Sequence, residues 1–203
     1  MTRTIINIGR QFGSGGKSVA EVLGKKLGIE VYDNEILIKA AEESGFSQDL
    51  FKRNDENRSI LTLGGIFGSN RYGTFTSNVL SDQELFKIQS DVIRDIAEKG
   101  NAIFVGRASD YVLRDLECLD VFICAPMENR KARVAQRLNV SEEEAEKIIQ
   151  KRDYGRKKFY DFFTFGEWGV ASNYDLCIDS SLLGIEGTAE YILEFGKKSG
   201  LIG

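Results

Sequence analysis

Two rhythms of apolar residues alternate along this chain. Short β-branched and aromatic runs, TIINIG (4–9), IEVYD (29–33), NAIFVG (101–106), CLDVFICA (118–125) and YDLCID (174–179), have the length and make-up of buried strands. Between them, apolar residues recur every three or four positions over 17–28, 34–45, 81–100, 129–138, 141–153 and 185–198. That spacing puts them on one face of a helix. Gly28, Gly45 and Gly100 close three of these helices, and Ser81 with Glu84 and Ser141 with Glu144 have the spacing of capping boxes. Strands separated by helices predict an α/β fold in three layers, a five-stranded parallel sheet with helices on both faces.

Two segments break the alternation. Residues 46–80 contain LTLGGIFGSNRYGTFTSN, rich in Gly, Ser, Thr and Asn and too long for an ordinary connection. Residues 154–173 contain FYDFFTFGEWG, unusually dense in aromatics. At 203 residues, the chain is read as a single domain, 1–203, carrying these segments as insertions.

Composition narrows the chemistry. Hydrophobic residues make up 42% and charged residues 29%, a balance typical of a globular protein. The net charge of -4 argues against a general nucleic-acid binder, so any anion site must come from local clusters of Lys and Arg. With no histidine, a His base or His metal ligand is excluded. Cys118, Cys124 and Cys177 lie in or beside apolar runs without metal-ligand spacing, which reads as reduced thiols in a cytoplasmic protein. No apolar run has the length of a membrane span, and the N-terminus does not read as a signal peptide.

GRQFGSGGKS (9–18) carries the strongest chemical signal. It follows the first strand, opens the first helix, and meets G-x-x-x-x-G-K-[ST] at Gly16, Lys17 and Ser18, with Gln11 at the first glycine. A phosphate loop needs inward backbone amides, a helix N-terminus and a lysine. Gly13, Ser14, Gly15 and Gly16 leave the backbone free to curl, and Gln11 keeps its own amide. The competing reading is a glycine-rich turn with a surface lysine. As a phosphate loop, residues 13–18 would cradle the phosphate chain, Lys17 would bridge donor phosphates, and Ser18 would hold Mg2+.

Other candidates fall at the carboxyl ends of strands, the edge where parallel sheets bind ligands. Asp33 ends the second strand and fits either a substrate or magnesium-water contact or the N-cap of the next helix. Arg107 follows the third strand and suits a phosphate, with a surface salt bridge as the alternative. Arg130 follows the fourth strand and is better placed than Arg133 or Arg137, which read as solvated. Residues 147–168 form a basic arm. From 147 to 158 it carries Lys147, Lys151, Arg152, Arg156, Lys157 and Lys158 against one acid, Asp153. It reads as a lid supplying charge to a transition state, or else as a helix face balancing the acids of 142–146. The aromatic tract 159–168 suits packing or a homodimer contact, with base stacking as the alternative.

Taken in order, the phosphate loop, VYDN with Asp33, Gly106-Arg107, APMENRKARVAQR, KRDYGR and IDSSLLGIEGTAEYIL resemble the nucleoside monophosphate kinases. Within them, the chain resembles the cytidylate kinases and the cytidylate-kinase-like family. The resemblance implies ATP and Mg2+, catalytic roles for Lys17, Asp33, Arg152 and Arg156, and substrate contacts from Asp33, Arg107, Arg130 and Asp153. It also implies an acceptor-binding insertion at 46–80 and a nucleotide acceptor, CMP or dCMP first. Asp153 and Arg156 match the family's D-x-x-R, whose aspartate contacts the acceptor. Three features depart from cytidylate kinases: Gln11, Ile149 where an additional arginine stands, and the aromatic tract. A kinase for another small acceptor and a non-catalytic nucleotide sensor are the competing functions.

Overall fold

The computed structural model describes residues 3–43 and 82–203. Its strands are β1 (Ile5–Arg10), β2 (Val31–Tyr32), β3 (Ala102–Val105), β4 (Leu119–Cys124) and β5 (Leu176–Asp179). The helices around them are α1 (Gly16–Leu27), α2 (Asn34–Glu43), α3 (Asp82–Lys99), α4 (Ser109–Val112), α5 (Met127–Leu138), α6 (Glu142–Thr164) and α7 (Ser180–Ser199). The five strands form one parallel sheet in the order β2-β3-β1-β4-β5. β1 is central, so the loop that leaves it opens at the middle of the carboxyl edge.

Side-chain alternation along the strands divides the core in two. On one face, Ile6, Ile8, Ile103, Val105, Val121 and Ile123 pack with Val19 and Leu23 of α1 and Ile192 of α7. On the other, Ile5, Ala102 and Phe104 pack with Leu37 of α2, Ile88, Val92 and Ile93 of α3, and Val112 of α4. A third, smaller cluster lies outside the sheet, where Val134 of α5 and Ala145 and Ile149 of α6 close over Phe12.

The expected cap at Ser141 forms, its hydroxyl accepting from the Glu144 amide at 3.2 Å. Ser81 and the 46–80 insertion lie outside the described residues. Residues 154–173 differ from the sequence reading, because α6 runs unbroken to Thr164. Phe159 and Phe163, one turn apart, fall on the same face and meet Phe86 of α3, with Phe86 and Phe163 stacked at 4.1 Å. That contact supplies the tertiary support that periodicity alone did not reveal. Trp168 then packs edge-on against Phe122 at 5.4 Å. The tract serves mainly as packing, while Phe162 and Phe165 remain exposed.

Candidate active site

The loop between β1 and α1 adopts a fixed shape. Gly13 and Gly15 have φ of 81° and 83°, the left-handed region that favours glycine. Gln11 has no such φ, so its position does not require the motif's first glycine. Instead Gln11 stitches the loop. Its amide donates to the Ile123 carbonyl at 3.0 Å, and its Oε1 accepts from the Ala125 amide at 3.2 Å. Its own carbonyl accepts from the Ser14 hydroxyl at 2.9 Å.

Arg133 supports the same loop from α5. Its Nη1 donates to the Ser14 carbonyl at 3.0 Å, the Gly13 carbonyl at 3.4 Å and the Ser180 hydroxyl at 3.2 Å. This corrects the expectation of a solvated side chain. The sequence hides this role because Arg133 and the loop are far apart along the chain.

Lys17 and Asp33 meet, with Nζ 2.7 Å from Oδ2. The other carboxylate oxygen accepts from the amides of Glu35 at 3.0 Å and Ile36 at 3.2 Å. Asp33 therefore caps α2 and orients the loop lysine at once. Burial alone would raise the Asp33 carboxyl, but Lys17 and the two amides outweigh it and hold it below its ordinary value. The hydrogen bond to Asp33 raises Lys17. Ser18 is exposed on the first turn of α1.

Helix α6 is fastened to the loop. Asp153 Oδ1 accepts from the Phe12 amide at 2.7 Å, while Oδ2 pairs with Arg130, whose Nη1 also reaches the Phe12 carbonyl at 3.4 Å. The Phe12 ring has the guanidinium groups of Arg137, Arg156 and Arg152 at 4.9, 5.4 and 5.9 Å. Arg130 and Asp153 thus engage each other, and neither lines the cavity described next.

That cavity, of about 160 Å³, lies between the ends of β1 and β3 and the middle of α6. Arg10, Arg107, Arg152 and Arg156 line part of it, and Tyr160, Trp168 and Tyr174 line another part. The arginines depress one another's proton affinity. Burial, then Arg107, brings Arg10 down to about 10. Burial, then Arg156, brings Arg107 to about 10, and burial, then Arg10, brings Arg156 to about 9. Asp110 also faces this space; burial raises its carboxyl, and its Oδ2 accepts from the Tyr160 hydroxyl at 2.6 Å.

The backbone that carries Arg107 is strained. Gly106, Arg107 and Ala108 have successive φ of 77°, 64° and 51°. For the two non-glycine residues this costs on the order of 1–3 kcal/mol each, the kind of strain found where a side chain is aimed for function. Sequence reasoning found Arg107, Arg152 and Arg156 but not Arg10, which lies outside the phosphate-loop pattern.

Among the described residues, no group of three or more His, Cys, Asp or Glu is arranged to hold a metal ion, and no helix is long and apolar enough to cross a membrane. A central parallel strand, a glycine loop with its lysine, and facing arginines define a phosphate-loop kinase. The profile of the cytidylate kinase-like family matches residues 5–182, and the chain belongs to that family. It is 29% identical to a cytidylate kinase of Methanopyrus kandleri, covering 87% of this chain and 84% of that one. It is 27% identical to a cytidylate kinase of Ignicoccus hospitalis, covering 93% and 96%. Among solved structures, an uncharacterised protein from Eubacterium ventriosum superposes with a TM-score of 0.70 at 26% identity, covering 95% of this chain and 98% of that one. A shikimate kinase from Bacteroides thetaiotaomicron has a TM-score of 0.55 at 13% identity, covering 97% and 99%, a likeness of fold. The family makes this chain a nucleoside monophosphate kinase-like phosphotransferase.

Proposed function

We propose that the chain transfers the γ-phosphoryl group of ATP to a pyrimidine nucleoside monophosphate, with CMP and dCMP as the preferred acceptors. The observation that carries this reading is the cavity beside the phosphate loop, whose walls combine clustered arginines with aromatic rings. A nucleoside monophosphate has the matching parts, an anionic phosphate and a planar base.

In this reading the N-terminal amides of α1 and Lys17 hold the donor phosphates. An oxygen of the acceptor phosphate attacks the γ-phosphorus as the bond to the β-bridging oxygen breaks, giving ADP and a nucleoside diphosphate. Arg107 pairs with the acceptor phosphate, and Arg152 and Arg156 supply charge from α6 to the equatorial oxygens of the group in transfer, over which the transition-state charge is spread. The exposed Ser18 hydroxyl is a hard oxygen donor and would hold Mg2+, which keeps several waters and takes few protein ligands, while Asp33, engaged by Lys17 and the α2 amides, would meet at most one of those waters. When bound, the ion neutralises charge on the β- and γ-oxygens. Asp33 keeps Lys17 extended before nucleotide arrives.

The second reading is a kinase for another small acceptor, and one observation favours it. Ile149, which stands where cytidylate kinases carry an additional arginine, is fully buried under Phe12, so the arginines α6 brings to the cavity are Arg152 and Arg156. ADP release from ATP across CMP, dCMP, UMP, AMP and GMP tests the proposal. The expected result is greatest turnover with CMP or dCMP. ATP binding with no turnover on any of the five would overturn it.

A further inference from the structure

Arg10 has no role in the phosphate-loop motif, yet it is placed with unusual care. It is the last residue of β1, and its guanidinium lies against Gly106, just past the end of β3. There it occupies the space that a side chain at residue 106 would need: a Cβ on Gly106 would fall inside the Arg10 guanidinium. Its Cβ packs on Gly16, at 2.7 Å from where a Cβ of that residue would lie. Its own carbonyl accepts from Arg156 Nη1 at 2.9 Å, which brings the α6 guanidinium to the same spot. The backbone strain at residues 107 and 108 delivers Arg107 there from β3.

Three guanidinium groups from three elements therefore converge on one cavity. Among the described residues, no hydrogen-bond acceptor or ion-pair partner engages the Arg10 guanidinium. Asp33 is the carboxylate whose charge favours both Arg10 and Arg107, but its oxygens are taken by Lys17 and the amides of α2. Burying the Arg10 guanidinium beside two like charges with no acceptor of its own is costly, and a fold retains such an arrangement when an anion completes it.

We infer that Arg10, with Arg107 and Arg156, forms a preformed site for a phosphate monoester, and that Arg10 directly contacts the phosphate of the acceptor. The word acceptor rests on the kinase reading above; the anion site rests on the convergence of the three arginines. The phosphate loop remains the donor site. Arg10 is therefore a third phosphate contact beyond the two arginines the motifs identify.

Binding of inorganic phosphate, measured by isothermal titration and by thermal shift, tests this in wild type, Arg10→Met, Arg10→Lys and Lys17→Ala. Methionine keeps the stem that covers Gly16, and lysine keeps a charge with fewer donors and shorter reach. Phosphate affinity is expected to fall about 10- to 100-fold in Arg10→Met, the range for a charge-assisted hydrogen bond, with a smaller loss in Arg10→Lys. Lys17→Ala is expected to keep phosphate binding to the arginine site. Without phosphate, the melting temperature of Arg10→Met should equal or exceed that of wild type, since like-charge repulsion is relieved; a purely structural arginine would lower it. Steady-state kinetics add a further arm, in which Arg10→Met raises KM for CMP and leaves KM for ATP near wild type. Unchanged phosphate affinity in Arg10→Met, a raised KM for ATP alone, or loss of phosphate binding only in Lys17→Ala would overturn the inference. If wild type turns over no monophosphate while Arg10→Met still loses phosphate binding, the anion site stands and the kinase reading falls.

Discussion

The carboxylate of Asp153 joins helix α6 to the phosphate loop by accepting the Phe12 amide at 2.7 Å. Its second oxygen pairs with Arg130, whose side chain is 8% exposed. Removing Asp153 would leave that guanidinium buried and uncompensated, a loss of about 3–5 kcal/mol. Asp153→Ala should therefore lower the urea-unfolding free energy by about that amount, and should speed hydrogen exchange at the Phe12 amide. Replacing both partners with apolar residues should recover much of the loss. A change below about 0.5 kcal/mol in Asp153→Ala would leave α6 untethered by this pair.

Lys17 and Asp33 separate binding from stability. Lys17→Ala should abolish measurable ATP binding with little change in unfolding free energy, because the side chain is 60% exposed. Asp33→Asn keeps an oxygen to accept the Glu35 and Ile36 amides but loses the charge that holds Lys17, so ADP release should fall tenfold or more, about 1.4 kcal/mol of barrier. Asp33→Ala loses the cap as well, and stability should drop by a further ~1 kcal/mol. Isothermal titration with ATP and urea unfolding, run on all three variants, distinguish these outcomes. Wild-type ATP affinity in Lys17→Ala would remove the phosphate-loop assignment.

Much of this arrangement is legible in the sequence, and the parts that are not have a common cause. The strands were readable because runs such as AIFV in β3 are buried on both faces and therefore apolar throughout. The loop was readable because its glycines, lysine and serine lie consecutively in the chain. Arg10 was not, since its meaning depends on Gly106, which only the parallel pairing of β1 with β3 brings alongside. Phe12 likewise becomes a platform for three arginines only once α5 and α6 fold over it. The full length of α6 was hidden because Phe159 and Phe163 need Phe86, a residue of a different helix, to make their aromatic spacing a packed face.

Gly106 gives a test of that long-range pairing. Its φ of 77° disfavours any side chain by about 1–2 kcal/mol. A new Cβ would also displace the Arg10 guanidinium. Gly106→Ala should therefore destabilise by more than the backbone term alone, about 2–4 kcal/mol in total. In the Arg10→Ala background the clash is gone and only the backbone cost remains. The double-mutant cycle should show a coupling of about 1 kcal/mol or more. Additive losses would mean that the two residues do not share this space in solution.

Asp120 predicts how stability responds to pH. Burial, with Asp110 and Asp175 nearby, pushes its carboxyl up from 3.8 to about 6, even though the Asn7 amide group donates to it at 2.8 Å. A carboxyl raised in the folded state holds its proton longer there than in the unfolded chain. Stability should therefore fall as pH rises from about 4 to about 6, and this contribution should be constant above that window. Asp120→Asn keeps an oxygen to accept from Asn7 and removes the charge. At pH 7.5 the variant should be more stable than wild type by about 1–2 kcal/mol, allowing for partial solvent screening of the shift. At pH 4, where most of the wild-type carboxyl is protonated, the gain should nearly vanish. Asp110, raised in the same direction, leaves a smaller slope of the same sign in the variant. Urea unfolding of both proteins at the two pH values measures the difference. An advantage for Asp120→Asn equal at pH 4 and pH 7.5 would show that the Asp120 charge does not produce it.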